Sequence, residues 1–131
     1  VMVAMEKIGG ITFAGEVDGD TLRHHLRESD IYLNCCSVDY LPETLLEAAA
    51  HGLPVVTTPV GGIRDALEDR HDALIVKAGD HGGLADRLIE LVENSELVKQ
   101  LSQRGETTAT RFDWKKISRR WLEFYSRPSA R

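Results

Sequence analysis

Cysteine is nearly absent from this sequence, and the two that occur, Cys35 and Cys36, are adjacent. Neighbours on a strand point to opposite faces, so a disulfide between them would be strained. Further ligands at metal-site spacing are lacking. The pair is expected to be two small buried hydrophobes in a reducing cytosol. An excess of positive charge is also lacking: 16 Lys and Arg against 21 Asp and Glu give a formal net charge of −5, which argues against a nucleic-acid surface. It does not exclude one diphosphate, because backbone N–H groups can bind an anion locally. No apolar run approaches the roughly 20 residues of a membrane span, and no signal-peptide pattern is present. A soluble, cytoplasmic protein is expected, with membrane contact at most peripheral. Repeats and low-complexity segments are lacking as well.

What is present is ordinary globular material, 42% hydrophobic and 28% charged over 131 residues, enough for one domain with a real core. Short β-like runs alternate with helical stretches. Residues 1–8 read as the end of a helix stopped by Gly9-Gly10. Strands are expected at 11–15, 31–35, 54–58 and 73–77. The first helix, capped by Asp20 or Thr21, runs to about Ser29. A second runs from about Pro42, suited to a first turn, to His51 before Gly52. Gly61-Gly62 opens a short helix from Ile63 to about Asp69. Leu84, Leu88, Leu91 and Val92 mark another. Ser95 caps one carrying Leu97, Val98 and Leu101. Asp113 caps the last, whose Trp114, Ile117, Trp121 and Phe124 or Tyr125 share a face, so both tryptophans are expected to be packing anchors. Strands alternating with helices imply a Rossmann-like parallel α/β sheet covered on both faces. Ligands in such folds sit at the carboxyl ends of strands, where Gly15 and Val17, the 37–39 loop and Gly61-Gly62 all fall.

The chemistry concentrates in Ser37-Val-Asp39-Tyr-Leu-Pro42-Glu-Thr-Leu-Leu-Glu47-Ala-Ala-Ala-His-Gly52-Leu-Pro54-Val-Val. One carboxylate lies in a loop and a second eight residues later on a helix, so both can reach one helix end. The unpaired N–H groups there favour a diphosphate. One segment thus offers acceptors for hydroxyls and donors for phosphates, as a nucleotide sugar requires. Plainer readings stand beside this one. Glu47 as a solvated helix residue, Asp39 as a turn or N-cap residue, and Gly61-Gly62 as a helix-entry turn are the alternatives. His51 reads as a dipole-favoured or surface residue, His24-His25 as solvent-facing, and Asp18 and Asp20 as a turn around Gly19.

The run from Asp30 through Gly62 resembles the donor-binding half of family-four retaining glycosyltransferases, which have the two-domain GT-B fold. Their signature is an acidic residue, seven others and a glutamate, then Ala-x-Ala-x-Gly-x-Pro-Val-Val. Here it reads Asp39 to Glu47, then Ala48-Ala-Ala50-His-Gly52-Leu-Pro54-Val-Val56. Phe13-Ala-Gly15-Glu-Val17, Thr58-Pro-Val-Gly61-Gly62-Ile and Phe112-Asp-Trp114 are similar to the family too. The resemblance implies that Glu47 accepts from both ribose hydroxyls and that Asp39 contacts the transferred sugar. Backbone N–H groups at Tyr40 and Leu41 would face the sugar, those of Glu43, Thr44 and Leu45 the diphosphate, and main chain at Gly15 and Val17 the base. Gly61 and Gly62 are a further loop contact. No metal and no cofactor beyond the nucleotide-sugar donor is implied.

Aspartate in place of the first glutamate bears on which sugar is preferred. The family's N-terminal acceptor domain, Gly-Arg strand and Lys-Gly loop have no counterpart in the 131 residues. The expectation is a truncated nucleotide-sugar-binding domain over 1–126, ending in an amphipathic helix at 113–126, with 127–131 a frayed tail. It would belong to a hexosyltransferase and be inactive alone. The alternative is a non-catalytic remnant, a nucleotide-binding or dimerising module. A receiver domain fits worse, since Lys77 lacks the acidic cluster such a domain needs. In the family's sheet order, 3-2-1-4-5-6, strand 11–15 loses its neighbours. It is expected to pair directly with 31–35, or a second chain is expected to cover the gap by dimerisation or swapping.

Overall fold

The structure, a computed structural model, describes residues 9–126. The helix end expected at 1–8 and the tail at 127–131 lie outside them. Three short parallel strands form the sheet in the order β1 (Tyr32–Asn34), β2 (Val55–Thr57), β3 (Leu74–Ile75). Tyr32 stands opposite Val55 and Asn34 opposite Thr57. The helices are α1 (Gly19–Glu28), α2 (Glu43–Ala50), α3 (Ile63–Ala66), α4 (His81–Glu93), α5 (Ser95–Ala109) and α6 (Trp114–Tyr125). A 3-10 turn, Thr110–Phe112, joins the last two.

The two-residue period of β2 divides the core. Val55 packs with Leu45, Ala49, Ile63 and Ala66, on the side of α2 and α3. Val56 packs with Leu74, Leu84, Leu91 and Leu101, on the side of α4 and α5. A strand buried on both faces must be apolar throughout, and all three β2 residues are buried. Leu26 of α1 closes the end of the sheet against Ala48 and Leu53. Helix α5 crosses α2 where Gly105 meets Ala49. The buried Asp72 ties α5 to the loop before β3. One carboxylate oxygen accepts the Glu68 N–H at 2.7 Å and the other accepts the Thr108 hydroxyl at 2.6 Å.

Several expectations need correction. Residues 11–15 form no strand and do not pair with β1; Ile11 and Phe13 are exposed. A strand is held by its neighbour's hydrogen bonds, and no described residue supplies them on that edge. Cys35 and Cys36 are exposed rather than buried, because both lie past the end of β1. The tryptophans are not packing anchors. No α6 residue is buried, and Trp114 is 74% and Trp121 52% exposed. The amphipathic stripe exists but meets no second surface among the described residues. Asp18 rather than Asp20 or Thr21 caps α1, accepting the Thr21 N–H, and Asn94 rather than Ser95 caps α5. Pro42 sits at the N-cap of α2 rather than in its first turn, and α3 ends at Ala66. No helix among the described residues is long and apolar enough to cross a membrane.

Candidate functional site

All the expected site residues except Gly15 and Val17 fall at the carboxyl ends of β1 and β2. Asp39, Tyr40 and Leu41 lie in the loop from β1 to α2. Asp39 and Tyr40 are exposed, and Leu41 tucks against the core. Glu43, Thr44 and Leu45 form the first turn of α2. Its N-cap is Pro42, which offers no side-chain cap. The Leu45 N–H is already closed onto the Pro42 carbonyl at 3.2 Å, whereas those of Glu43 and Thr44 meet no acceptor among the described residues. An uncapped helix end with free N–H groups attracts an anion. The Tyr40 N–H is also engaged, donating to Oδ1 of Asp39 at 2.7 Å. The Cys36 thiol is a second hydrogen-bond partner of the Asp39 carboxylate. Glu47 stands exposed one turn beyond Glu43.

Tyr32 ties β1 to the first turn of α2. Its hydroxyl lies 2.8 Å from Oγ1 of Thr44. Burial raises the phenol above its ordinary value, the Thr44 bond works against this, and Cys36, Asp39 and Glu47 raise it further. The field of both acidic residues therefore reaches one side chain. The Cys36 thiol is likewise raised, by desolvation and by the Asp39 carboxylate, so it remains a protonated donor at neutral pH.

Backbone contacts hold the acidic loop. Oδ1 of Asn34 accepts the Cys36 N–H at 3.1 Å, and the buried Thr58 hydroxyl donates to the Cys36 carbonyl at 2.5 Å. The Gly62 N–H donates to the Tyr40 carbonyl at 2.5 Å. Gly61 has φ +52°, and a Cβ there would lie 2.2 Å from that same oxygen. These two glycines thus meet the acidic loop directly. Gly15, with φ +70°, and the half-buried Val17 precede α1. Among the described residues no hydrogen bond joins them to the acidic loop.

Beside the loop opens a groove of about 1010 Å³, lined by Tyr40, Leu41, Glu43 and Glu47 on one wall and by Glu106, Phe112, Asp113 and Lys116 on the other. Lys116 is the one cation among its lining residues, against four carboxylates. Among the described residues no group of three or more His, Cys, Asp or Glu side chains is placed to hold a metal. Sequence reasoning missed Tyr32, the Thr44 side chain, Cys36 and Lys116. Tyr32 carried the one available signal, a hydroxyl inside an apolar run that needs a partner when buried.

Residues 2–94 match the family model described as "Glycosyl transferases group 1". The chain is 32% identical over 103 residues to sucrose-phosphate synthase 4 of Arabidopsis thaliana, covering 79% of this chain and 10% of that protein. It is 31% identical over 119 residues to phosphatidyl-myo-inositol mannosyltransferase of Mycobacterium leprae, covering 88% of this chain and 31% of that protein. The chain therefore spans a third or less of these curated relatives. Among solved structures, sucrose-phosphate synthase from Thermosynechococcus elongatus superposes with a TM-score of 0.85 at 21% identity, over 95% of this chain and 32% of that one. Anabaena HepE in complex with UDP-glucose gives 0.85 at 18% identity, over 95% of this chain and 34% of that one. At these identities the structural likeness speaks for the fold alone.

Proposed function

The chain belongs to the group 1 glycosyl transferases, its parallel α/β sheet being part of the C-terminal half of a GT-B fold, and we propose that it is the donor-binding portion of a retaining enzyme. The observation that carries the reading is the uncapped first turn of α2, whose Glu43 and Thr44 N–H groups meet no acceptor among the described residues, with Asp39 in the loop before it and Glu47 exposed one turn beyond. In this reading the free N–H groups of Glu43 and Thr44 bind the diphosphate. Leu45 contributes through the helix dipole, because its own N–H is spent on Pro42. Glu47 accepts from the ribose hydroxyls. Asp39 accepts from the transferred sugar, while Tyr40 and Leu41 border that sugar. Gly15 and Val17 provide main chain for the base. The Anabaena HepE neighbours were solved with UDP and with UDP-glucose, which supports a nucleotide-sugar ligand.

The groove's charge balance limits affinity. With one lysine facing four carboxylates, the diphosphate is held mainly by backbone N–H groups. The proposal therefore includes weak binding and no sugar transfer by the 131 residues alone, the acceptor side being supplied by another domain. No metal or separate cofactor takes part in it. Two exposed thiols suit a reducing, cytoplasmic setting.

Calorimetric titration with UDP-, GDP- and ADP-sugars tests the reading. Measurable affinity for at least one nucleotide sugar is expected, and no affinity for any of them sinks it. Turnover of a nucleotide sugar by this chain alone would refute the inactivity. A second reading, an interaction module that dimerises or docks on a partner domain, is favoured by the exposed Trp114, Trp121, Phe124 and Tyr125 face of α6. Analytical ultracentrifugation decides whether the chain self-associates through that face.

A further inference from the structure

Resting on the donor-site reading above, we propose that the Gly61-Gly62 turn is the seat that positions the Asp39 carboxylate, making Gly61 a specificity-determining positioning residue rather than a ligand contact. Apart from Leu41 at its far end, packed on the core, and Asn34, which accepts the Cys36 N–H, the acidic loop has little to place it. Val38 is 88% and Tyr40 85% exposed, so side-chain packing does not fix its path. The two backbone anchors that do fix it come from the segment joining β2 to α3. Thr58 holds the Cys36 carbonyl, and Gly62 holds the Tyr40 carbonyl.

Gly61 lies between these anchors and tolerates nothing larger. At φ +52° a Cβ would stand 2.2 Å from the Tyr40 carbonyl oxygen and 2.3 Å from that of Asp39. Both are main-chain atoms, which cannot swing aside as a flexible side-chain end would. Any side chain at Gly61 therefore displaces the peptide joining Asp39 to Tyr40. The Tyr40 N–H in that peptide orients the Asp39 carboxylate, so the carboxylate moves with it. Glu47 is insulated from this movement. It rides on α2, which is locked into the core by the buried Leu45, Ala48 and Ala49. Disturbing the seat should separate sugar recognition from nucleotide recognition.

Three glycines form a graded test. Gly79 has φ +85° with nothing within 4 Å of where a Cβ would stand, so Gly79→Ala adds left-handed strain without a clash. Gly62→Ala fits, since its nearest neighbour is the Tyr40 oxygen at 3.4 Å. Gly61→Ala adds both strain and clash. Should Gly61→Ala fail to fold, Thr58→Val loosens the same loop at its other anchor, removing the hydroxyl that holds the Cys36 carbonyl.

The variants are compared by NMR-detected exchange of the Tyr40 amide without ligand, and by calorimetry with UDP, GDP and ADP and their glucose and mannose derivatives. Gly61→Ala is expected to speed Tyr40 exchange and to weaken nucleotide-sugar binding about tenfold, the equivalent of one lost ligand hydrogen bond. Affinity for the nucleoside diphosphate should stay within about threefold, Gly79→Ala should match the wild type, and Gly62→Ala should leave Tyr40 exchange unchanged. Unchanged Tyr40 exchange in Gly61→Ala, or a parallel loss of sugar and nucleotide affinity, overturns the proposal. Faster exchange in a protein whose wild type binds no nucleotide supports the seat and counts against the donor-site reading.

Discussion

The Tyr32 hydroxyl lies 2.8 Å from Oγ1 of Thr44, joining the middle layer of the sheet to the first turn of α2. Tyr32 lies outside the signature that the chain shares with its family, and Thr44 is one of the seven unspecified positions within it. Together they fix the register between the strand end and the helix whose N–H groups face the proposed diphosphate.

Tyr32→Phe should cost about 1 kcal/mol, the usual net worth of one hydrogen bond, as read from urea denaturation midpoints. A pH effect follows from the same residue. Burial, first among its causes, raises the phenol in the folded state, so the unfolded chain gives up this proton at lower pH than the folded one does. The contribution is complete below about pH 10, the ordinary tyrosine value, and is lost as pH rises through the folded value. Tyr32→Phe should therefore flatten part of the alkaline fall in stability. An alkaline limb identical to the wild type's would rule this out.

Glu47→Ala should weaken nucleotide binding by about tenfold or more, since charge-assisted hydrogen bonds are worth roughly 1.5–3 kcal/mol. Glu47 is exposed, so stability should change by less than about 0.5 kcal/mol. Calorimetry and thermal denaturation measure the two separately. Unaltered affinity would remove the ribose assignment.

Thr108→Val leaves the buried Asp72 without one of its two donors. A loss of about 1–3 kcal/mol in unfolding free energy is expected. A neutral effect would mean that water replaces the hydroxyl at a site now sealed between α5 and the loop before β3.

Gly105→Ala should instead stabilise. A Cβ there would meet the Asp72 carbonyl at 3.5 Å and the Ala49 methyl at 3.7 Å, which is ordinary contact. Replacing a mid-helix glycine by alanine gains about 0.5–1 kcal/mol. A lower melting temperature would show that α5 and α2 pack more tightly than those distances allow.

The acidic segment was legible because its chemistry is local. A spacing of eight from Asp39 to Glu47, a proline before a helix and a glycine after it dictate a loop, a helix start and two carboxylates near one end. The strand expected at 11–15 was misread because alternating β-branched and aromatic residues describe a strand's preference, not its partner. The α6 stripe was misread for a related reason. Its period announces an apolar face, but burial needs an opposing surface. Cys35 and Cys36 resemble core residues by type, yet β1 stops one residue before them.

By itself the sequence determined the alternation of strands and helices, the place of the acidic segment after a strand, and the family to which it belongs. These follow from periodicity and from spacings within a few residues. Only the tertiary structure decided that Gly61 presses on the Asp39–Tyr40 peptide, that Thr58 reaches Cys36 and that Tyr32 meets Thr44. Each joins residues 12 to 22 positions apart in the chain. Such contacts depend on how the parallel strands align their carboxyl ends, which no local pattern encodes.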